Sequence, residues 1–334
     1  MPVNPDPSRT ETLALLTSEH SQKWLAYHQS LLRSSHISNL PRISIVTPSY
    51  NQGEFLEQTI LSVLWQNYPN LEFVIIDGGS TDNSMEIIQK YNKYLTYWVS
   101  EPDRGQSHAI NKGFSHCTGD ILAWLNSDDL YLPGTLHHVA RQFNQSKKTD
   151  VLTGAWIAYY HETQFFYGTR ACGAGVHPAM AILLSHHAHL GQHSTFWRRE
   201  VWETVGPLQE SLHYAMDHDF FLKCCDHGFR FKLSAYQLAA FRRYAAQKTK
   251  AWKRYATESE SCIQRYKQRP EWRSPIGQLR LSVAKKIASL AHHRNKHPRL
   301  GLVPLYDRNQ IQEWFADLED GRQLSNSCQP EHRE

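Results

Sequence analysis

The sequence predicts an α/β fold: a single Rossmann-like, mostly parallel central sheet flanked by helices, with a helical C-terminal extension. Three observations carry this. Between Ile43 and Asp129, short apolar runs rich in β-branched residues alternate with stretches of helical spacing. Each of three apolar runs stops at a polar turn: Thr47-Pro48-Ser49-Tyr50, Asp77-Gly78-Gly79-Ser80 and Asn126-Ser127-Asp128-Asp129. Beyond residue 250 the chain becomes basic and keeps a helical period.

The elements follow in order. Residues 1–40 are polar, with a helical patch "SQKWLAYHQSLLRS", and read as an N-terminal helical extension. "ISIVTPSYN" is a strand feeding a loop, and "EFLEQTILSVLWQ" is a helix with Phe55, Ile60, Val63 and Leu64 on one side. "LEFVIIDGGSTD" is a second strand stopped by a turn. "NSMEIIQKYNKYL" is a helix, "LTYWVSEPD" a strand, "GQSHAINKGFSHC" a helix and "DILAWLNSDD" a strand. Helices between strands imply parallel pairing, with ligands gathered beyond the carboxyl ends of the strands. After residue 150 the alternation weakens. "DVLTGAWIAYY" and "TQFFYGTR" suit a hairpin. "STFWRREVWETVG" suits a strand, a turn and a short helix, and "YAMDHDFFLKCCDHGFRFKL" a helix ended by Gly228 and followed by a strand. The expected division is 1–40 as the extension, 41–249 as the α/β unit and 250–334 as a basic helical extension.

Bulk properties exclude several classes. The 334 residues are 40% hydrophobic, enough for a sizeable core, and no run approaches the roughly 18–20 apolar residues of a membrane span. The opening "MPVNPDPSRTETLALLTSEH" has no basic patch followed by an apolar core, so no secretory signal is expected. Six cysteines with no CxxC pair suit a reduced, cytoplasmic chain. The net charge of +4 conceals an asymmetry: residues 242–300 carry 16 Lys and Arg against 3 Asp and Glu, and the remainder is net acidic.

Adjacent carboxylates at Asp128 and Asp129 repel one another unless something compensates them. Oxygen ligands of this kind suit Mg²⁺ or Mn²⁺, which accept few protein ligands and fill the rest with phosphate and water. The pair alone equally suits a loop that caps the following helix. Asp77 comes too early to cap a helix, a job that suits Asp82, and it can accept hydrogen bonds from a base or ribose. Gly78 and Gly79 allow close approach there. In "SEPDRGQSHAINKG", Asp103, Arg104 and Lys112 lie near the ends of a helix whose N-terminus favours anions. In "SHHAHLGQH", His186, His187, His189 and His193 lack HExxH spacing and a cysteine partner, so a zinc site is not favoured.

In this order, "TPSYN", "DGGSTD", "EPDRGQSHAINKG", "WLNSDD" and "FWRREVWETVGPLQESLHYAMDHDFFLK" resemble a family 2 glycosyltransferase with a GT-A fold, over about residues 42–249. The resemblance implies transfer of a sugar, usually with inversion, from a nucleotide-sugar donor (a UDP-sugar before others) to an acceptor hydroxyl. It also implies Mn²⁺ or Mg²⁺ as cofactor and a saccharide or lipid-linked acceptor in surface polysaccharide or glycolipid assembly. Carried over by position, Pro48, Tyr50 and Asp77 lie around the base and ribose. Asp129 holds the metal directly and Asp128 sits toward the ribose. Arg104 and Lys112 are softer donor contacts. Asp217 fits the catalytic base, with Asp219 on a different helical face. Gln192 and His193 fall on the acceptor side.

Two departures stand out. Asn126 replaces the first acid of the metal motif. Tyr244 stands where relatives carry a metal-completing histidine, leaving Arg242, Arg243 and Lys248 as alternative diphosphate partners. The alternative function is therefore a catalytically weak or inactive nucleotide-sugar-binding module. In "IGQLRLSVAKKIASLA", Ile276, Leu279, Val283, Ile287 and Leu290 share one face. Packing of that stripe on the catalytic unit is the commoner fate. Peripheral contact of residues 270–300 with the inner face of an anionic membrane is the other reading. No nucleic-acid motif accompanies the charge.

Overall fold

The computed structural model describes residues 40–162, 165–169, 190–247 and 251–296. The helical patch before residue 40, His186, His187, His189, Lys248 and the side chains of Ile287 and Leu290 lie outside the described residues.

Four strands form the parallel part: β1 (Ile43–Ser49), β2 (Leu71–Asp77), β3 (Tyr97–Ser100) and β4 (Ile121–Trp124). β1 is central, paired in parallel with β2 and β4, and β3 pairs with β2. Helices α1 (Gly53–Leu64), α2 (Ser84–Tyr91) and α3 (Gln106–Ser115) fill the crossovers. β1 is buried along its whole length, as a strand covered on both faces must be, and alternate residues enter opposite cores. Ile43, Ile45, Phe73, Ile75 and Ile121 pack with α1, α2 and α4 (Thr135–Gln145). Val46, Val74, Ile76, Leu122 and Trp124 face α3. Gly113 lets α3 approach closely: a Cβ there would stand 2.3 Å from Val46 Cγ1.

The expected fold class holds, and parallel pairing dominates its first half; the second half is mixed. β5 (Leu130–Tyr131), β6 (Val151–Tyr160), β7 (Phe165–Thr169), β8 (Thr195–Arg198) and β9 (Phe231–Arg243) complete a nine-stranded sheet. β8 runs antiparallel to both β4 and β6, and β9 runs parallel to β6 with a bulge opposite Thr153–Trp156. The expected β6–β7 hairpin pairing is present. Arg198 passes straight from β8 into α5 (Arg199–Val205), without an intervening turn. Next comes α6 (Met216–Asp226), whose exit uses Gly228 at φ +75°. The two-residue β5 pairs antiparallel with Ala239–Ala240 of β9, which carries the end of β9 to the Asp128–Asp129 turn.

The C-terminal helices are α7 (Trp252–Lys267), α8 (Pro270–Arg273) and α9 (Pro275–Lys296). Cys262, Ile263 and Tyr266 of α7 join the core beneath α6. Of the α9 stripe expected to pack inward, the described members do the opposite: Ile276, Leu279 and Val283 are 65%, 64% and 46% exposed. Gly277, Leu281 and Ala284 are the residues that turn in, and the missing side chain at Gly277 lets α9 approach α8 closely, since a Cβ there would meet Glu271 O at 2.2 Å. Among the described residues no helix is long and apolar enough to cross a membrane.

Glu72 ties β1 and β2 to the turn before β4. Its carboxylate accepts Ser44 Oγ at 2.5 Å, Thr118 N at 2.7 Å and the Thr118 hydroxyl. Burial pushes its pKa up, but these hydrogen bonds and nearby Arg42 outweigh burial and hold it below the ordinary range. With the folded value below the unfolded one, the stability it adds is present above the unfolded value of about 4.3 and is lost as pH falls through the folded value. Melting curves of Glu72→Gln and the natural chain should lie apart at pH 7 and converge as pH falls below the unfolded value. A gap that stays constant across this range would refute the assignment.

Candidate active site

The polar turns do form one rim at the carboxyl ends of the parallel strands. Gly78 N donates to Ser49 O at 2.8 Å, Glu101 N to Asp77 O at 3.0 Å and Leu125 N to Val46 O at 2.9 Å, so four strand ends are laced together. Asn51 N donates to Ser80 Oγ at 2.7 Å, and Asn51 Oδ1 accepts Thr81 N at 2.8 Å. Asp82 serves two helices, accepting the N–H groups of Gly53 and Ser84.

Pro48 is buried within β1, whereas Tyr50 is 59% exposed at its end. Asp77 stands at the rim but turns inward. Its Oδ2 accepts Gly79 N, Ser80 N and Ser100 Oγ, and its Oδ1 accepts Ser80 Oγ at 2.5 Å. Those four bonds occupy the carboxylate in shaping the turn, in which Gly79 adopts φ +80°. Arg104 reaches Glu210, its Nε lying 2.8 Å from Oε2. The Lys112 ammonium pairs with Glu101. Neither cation has a described contact with the Asp128–Asp129 turn.

The two aspartates differ sharply. Asp129 is fully buried: Oδ1 accepts Arg242 N at 3.1 Å, and Oδ2 has no hydrogen-bond partner. Burial first, then the charge of Asp128, pushes its pKa well up, against the pull of Arg242. Asp128 is half-buried, and its Oδ2 accepts the Tyr244 hydroxyl at 3.0 Å. Burial, with the Asp128 charge added, keeps the Tyr244 phenol neutral far above its usual range. The Tyr244 hydroxyl also lies 3.5 Å from Gln52 Oε1. Asp129, expected from the motif to hold the metal, has no exposed surface, and Asp128 is the more exposed carboxylate of the pair. Arg242 does not await a diphosphate. It is fully buried, Nε donating to Asp128 O at 2.9 Å and Nη2 to Gln58 Oε1 at 2.6 Å.

Beside this pair, Asn126 heads a polar chain. Its Oδ1 accepts Gln106 Nε2 at 2.8 Å, its Nδ2 donates to Gln192 Oε1 at 3.5 Å, and Gln192 Nε2 donates to Trp124 O at 2.7 Å. Gln192 therefore lies against the β4 end. His193 does not line a polar pocket. It is buried, stacked on Phe241 and edge-on to Trp156, and burial lowers its pKa to about 3, so the ring is neutral.

Asp217 occupies the first turn of α6, where the helix dipole favours an anion, and is half-buried. Its Oδ1 accepts His218 N at 2.7 Å. The loop leading to it is held by Glu258 of α7, which accepts the N–H groups of His213, Tyr214 and Ala215 at 3.1, 2.7 and 3.0 Å. Ser107 Oγ donates to Leu212 O at 3.0 Å. The first turn of α3 thus touches both the approach to Asp217 and, through Gln106, the approach to Asp128. Asp219, a candidate for the acceptor side, is instead buried in ion pairs with Arg265 and with Lys223, the latter at 3.0 Å. It locks α6 to α7. Glu258 was missed by motif reasoning, and Arg242 was read as a diphosphate partner, because the groups they bind are remote in sequence.

A fit for a divalent cation rests on this donor set: one half-buried carboxylate, Asp128, beside the orphan Oδ2 of buried Asp129. That suits a hard cation that takes most ligands from phosphate and water. Among the described residues no group of three or more His, Cys, Asp or Glu converges to hold a metal by protein ligands alone.

Comparison with known proteins agrees with this architecture. Over 192 residues the chain is 27% identical to an uncharacterized glycosyltransferase of Rickettsia typhi, covering 55% of this chain and 58% of that one. It spans less than two thirds of the length of the curated relatives it matches. Two solved structures share the fold. S. aureus TarS 1–349 in complex with UDP-GlcNAc has a TM-score of 0.57 and 17% identity, covering 85% of this chain and 81% of that one. The mannosyltransferase PcManGT from Pyrobaculum calidifontis, in complex with GDP-Man and Mn²⁺, has a TM-score of 0.54 and 19% identity, covering 94% of each chain. The profile of glycosyl transferase family 2 matches residues 44–209, from β1 to the approach to α6, and with the ordered strand-end motifs and the sheet that carries them the chain belongs to that family.

Proposed function

We propose that the protein is a nucleotide-sugar-dependent glycosyltransferase that transfers with inversion to an acceptor hydroxyl, in surface polysaccharide or glycolipid assembly. The observation that carries this is the pair of half-buried carboxylates, Asp128 and Asp217, linked through the first turn of α3 at the carboxyl ends of the parallel strands. Asp217 accepts the acceptor's proton while that oxygen bonds to the anomeric carbon. The bond from this carbon to the diphosphate breaks, and its electron pair leaves with the nucleoside diphosphate. Tyr50 covers the nucleotide side, and Gln106, Asn126 and Gln192 fix the floor between the carboxylates. Mn²⁺ or Mg²⁺, held by Asp128, would supply charge neutralisation to the leaving diphosphate. Asp129 and Arg242 orient Asp128 from behind, and the Tyr244 hydroxyl competes for its Oδ2.

That competition also motivates the second reading, a binding module with weak or no turnover. A thermal-shift series with UDP- and GDP-sugars, with Mn²⁺ or chelator, tests both. Ligand at 100 times its Kd should stabilise the chain by about 2.7 kcal/mol, and release of nucleoside diphosphate should accompany binding when saccharide acceptors are added. Binding without release across the panel favours the module. No shift with any donor overturns both.

The exposed α9 face supports a peripheral contact with an anionic leaflet at the inner side of the membrane. Ile276, Leu279 and Val283 point outward, with Arg273, Arg280 and Lys286 exposed around them, in a region with a net charge of +13. Vesicles containing phosphatidylserine should sediment the chain at low salt, and Leu279→Glu should cut the bound fraction several-fold. Equal sedimentation of the variant, or none of the natural chain, refutes this contact.

A further inference from the structure

We infer that Asp103, on the loop after β3, is the carboxylate that selects the donor's base; this rests on the donor reading above. The residue expected there, Asp77, has its oxygens committed to the turn by four hydrogen bonds. Asp103 is placed differently. Its Oδ1 accepts Gly105 N at 2.7 Å, which fixes the carboxylate plane. Its Oδ2 lies 2.8 Å from where a Cβ on Gly78 would stand, and Tyr50 Cδ2 lies 3.3 Å from the same point. No hydrogen bond to Oδ2 is made by any described residue. The missing side chain at Gly78 thus leaves room in which an acceptor oxygen and an exposed aromatic ring meet.

Those two groups recognise a flat base in complementary ways. The Tyr50 ring, 59% exposed, offers a stacking face, which every base can use. The Asp103 carboxylate can only accept. It therefore matches a base whose pairing edge carries a ring N–H, as uracil does at N3 and guanine at N1. It meets a lone pair on cytosine N3 and adenine N1. Selection between these groups is worth more than a shape difference, because a mismatched base leaves a desolvated carboxylate facing a lone pair.

Titration calorimetry with UDP, GDP, CDP and ADP, all with Mn²⁺, tests the assignment. The natural chain should bind UDP or GDP at least tenfold more tightly than CDP and ADP. Whichever of UDP and GDP binds identifies the donor class. Asp103→Asn keeps an oxygen for Gly105 N and can also present an N–H to cytosine N3, so it should lose about tenfold for the preferred nucleotide and narrow the gap to CDP. Gly78→Ala, which pushes a methyl into the same space without changing charge, should weaken the preferred nucleotide in the same direction. If the natural chain binds none of the four, the donor reading fails and Asp103 with it. If it binds UDP, GDP and CDP alike, or if Asp103→Asn loses UDP and CDP equally as a ribose contact would, the base assignment alone is overturned.

Discussion

Arg242→Met is expected to cost about 3–5 kcal/mol of folding stability, the range for removing one partner of a buried charge pair. Methionine keeps most of the volume, so the loss reports charge and hydrogen bonds rather than a cavity. The guanidinium holds Asp128 O and Gln58 Oε1, and lies over Phe55 at 4.7 Å and Tyr159 at 5.4 Å. It is the cation nearest a fully buried carboxylate whose second oxygen is unpartnered. Its removal leaves Asp129 without a neighbouring cation, held by the backbone N–H of residue 242 and by Asn126. The pH dependence has a definite sign. Asp129 titrates above its unfolded value, so the folded chain keeps a proton the unfolded chain has lost, and stability falls as pH rises through that window. Without Arg242 the folded value rises further, so in urea unfolding the deficit should widen as pH rises above the ordinary carboxylate range. Adding Asp129→Asn should recover part of it. A deficit under about 1 kcal/mol at every pH, or no recovery in the double variant, would show that Arg242 does not compensate the aspartate.

The second large effect concerns turnover. Asp217→Asn should lower kcat by about 10²–10⁴-fold, the usual contribution of a positioned general base, with donor affinity unchanged. Asparagine retains the acceptor for His218 N, so the start of α6 should keep its geometry. Asp219→Asn, two residues away, should show the reverse pattern. Its charge serves Arg265 and Lys223 rather than the cleft, so the variant should melt earlier by the equivalent of roughly 2 kcal/mol and keep most of its kcat. Steady-state kinetics and melting curves on both variants separate the roles. If Asp217→Asn keeps kcat within tenfold, or Asp219→Asn loses turnover without loss of stability, the base lies elsewhere.

Much of the first half was legible from local pattern. The runs ending at Ser49, Asp77, Ser100 and Leu125 are parallel strands whose ends meet at one rim, and Asp217 does sit in the first turn of a helix. The motifs also located Asp128 and Asp129 correctly at a strand end. What they do not give is the direction of individual side chains. Asp77 looks like a ligand group by position but is consumed by its own turn. His193 looks polar yet packs between aromatic rings. The α9 stripe looks like a core face yet points to solvent, because Gly277, Leu281 and Ala284 provide the inward contact.

By itself, then, the sequence determined the strand and helix periods, the order of the parallel crossovers and the set of polar turns, because these depend on spacings of two to four residues. The tertiary structure alone decided which carboxylate of the pair is buried. That choice depends on the two-residue β5 pairing with β9, which brings Arg242 to Asp129 across 113 positions and Tyr244 to Asp128 across 116. Once Arg242 and its hydrogen bonds bury Asp129, only Asp128 keeps an oxygen near the surface. No periodicity encodes that contact, because it depends on the bulge in β6–β9 and on packing of the whole mixed half of the sheet.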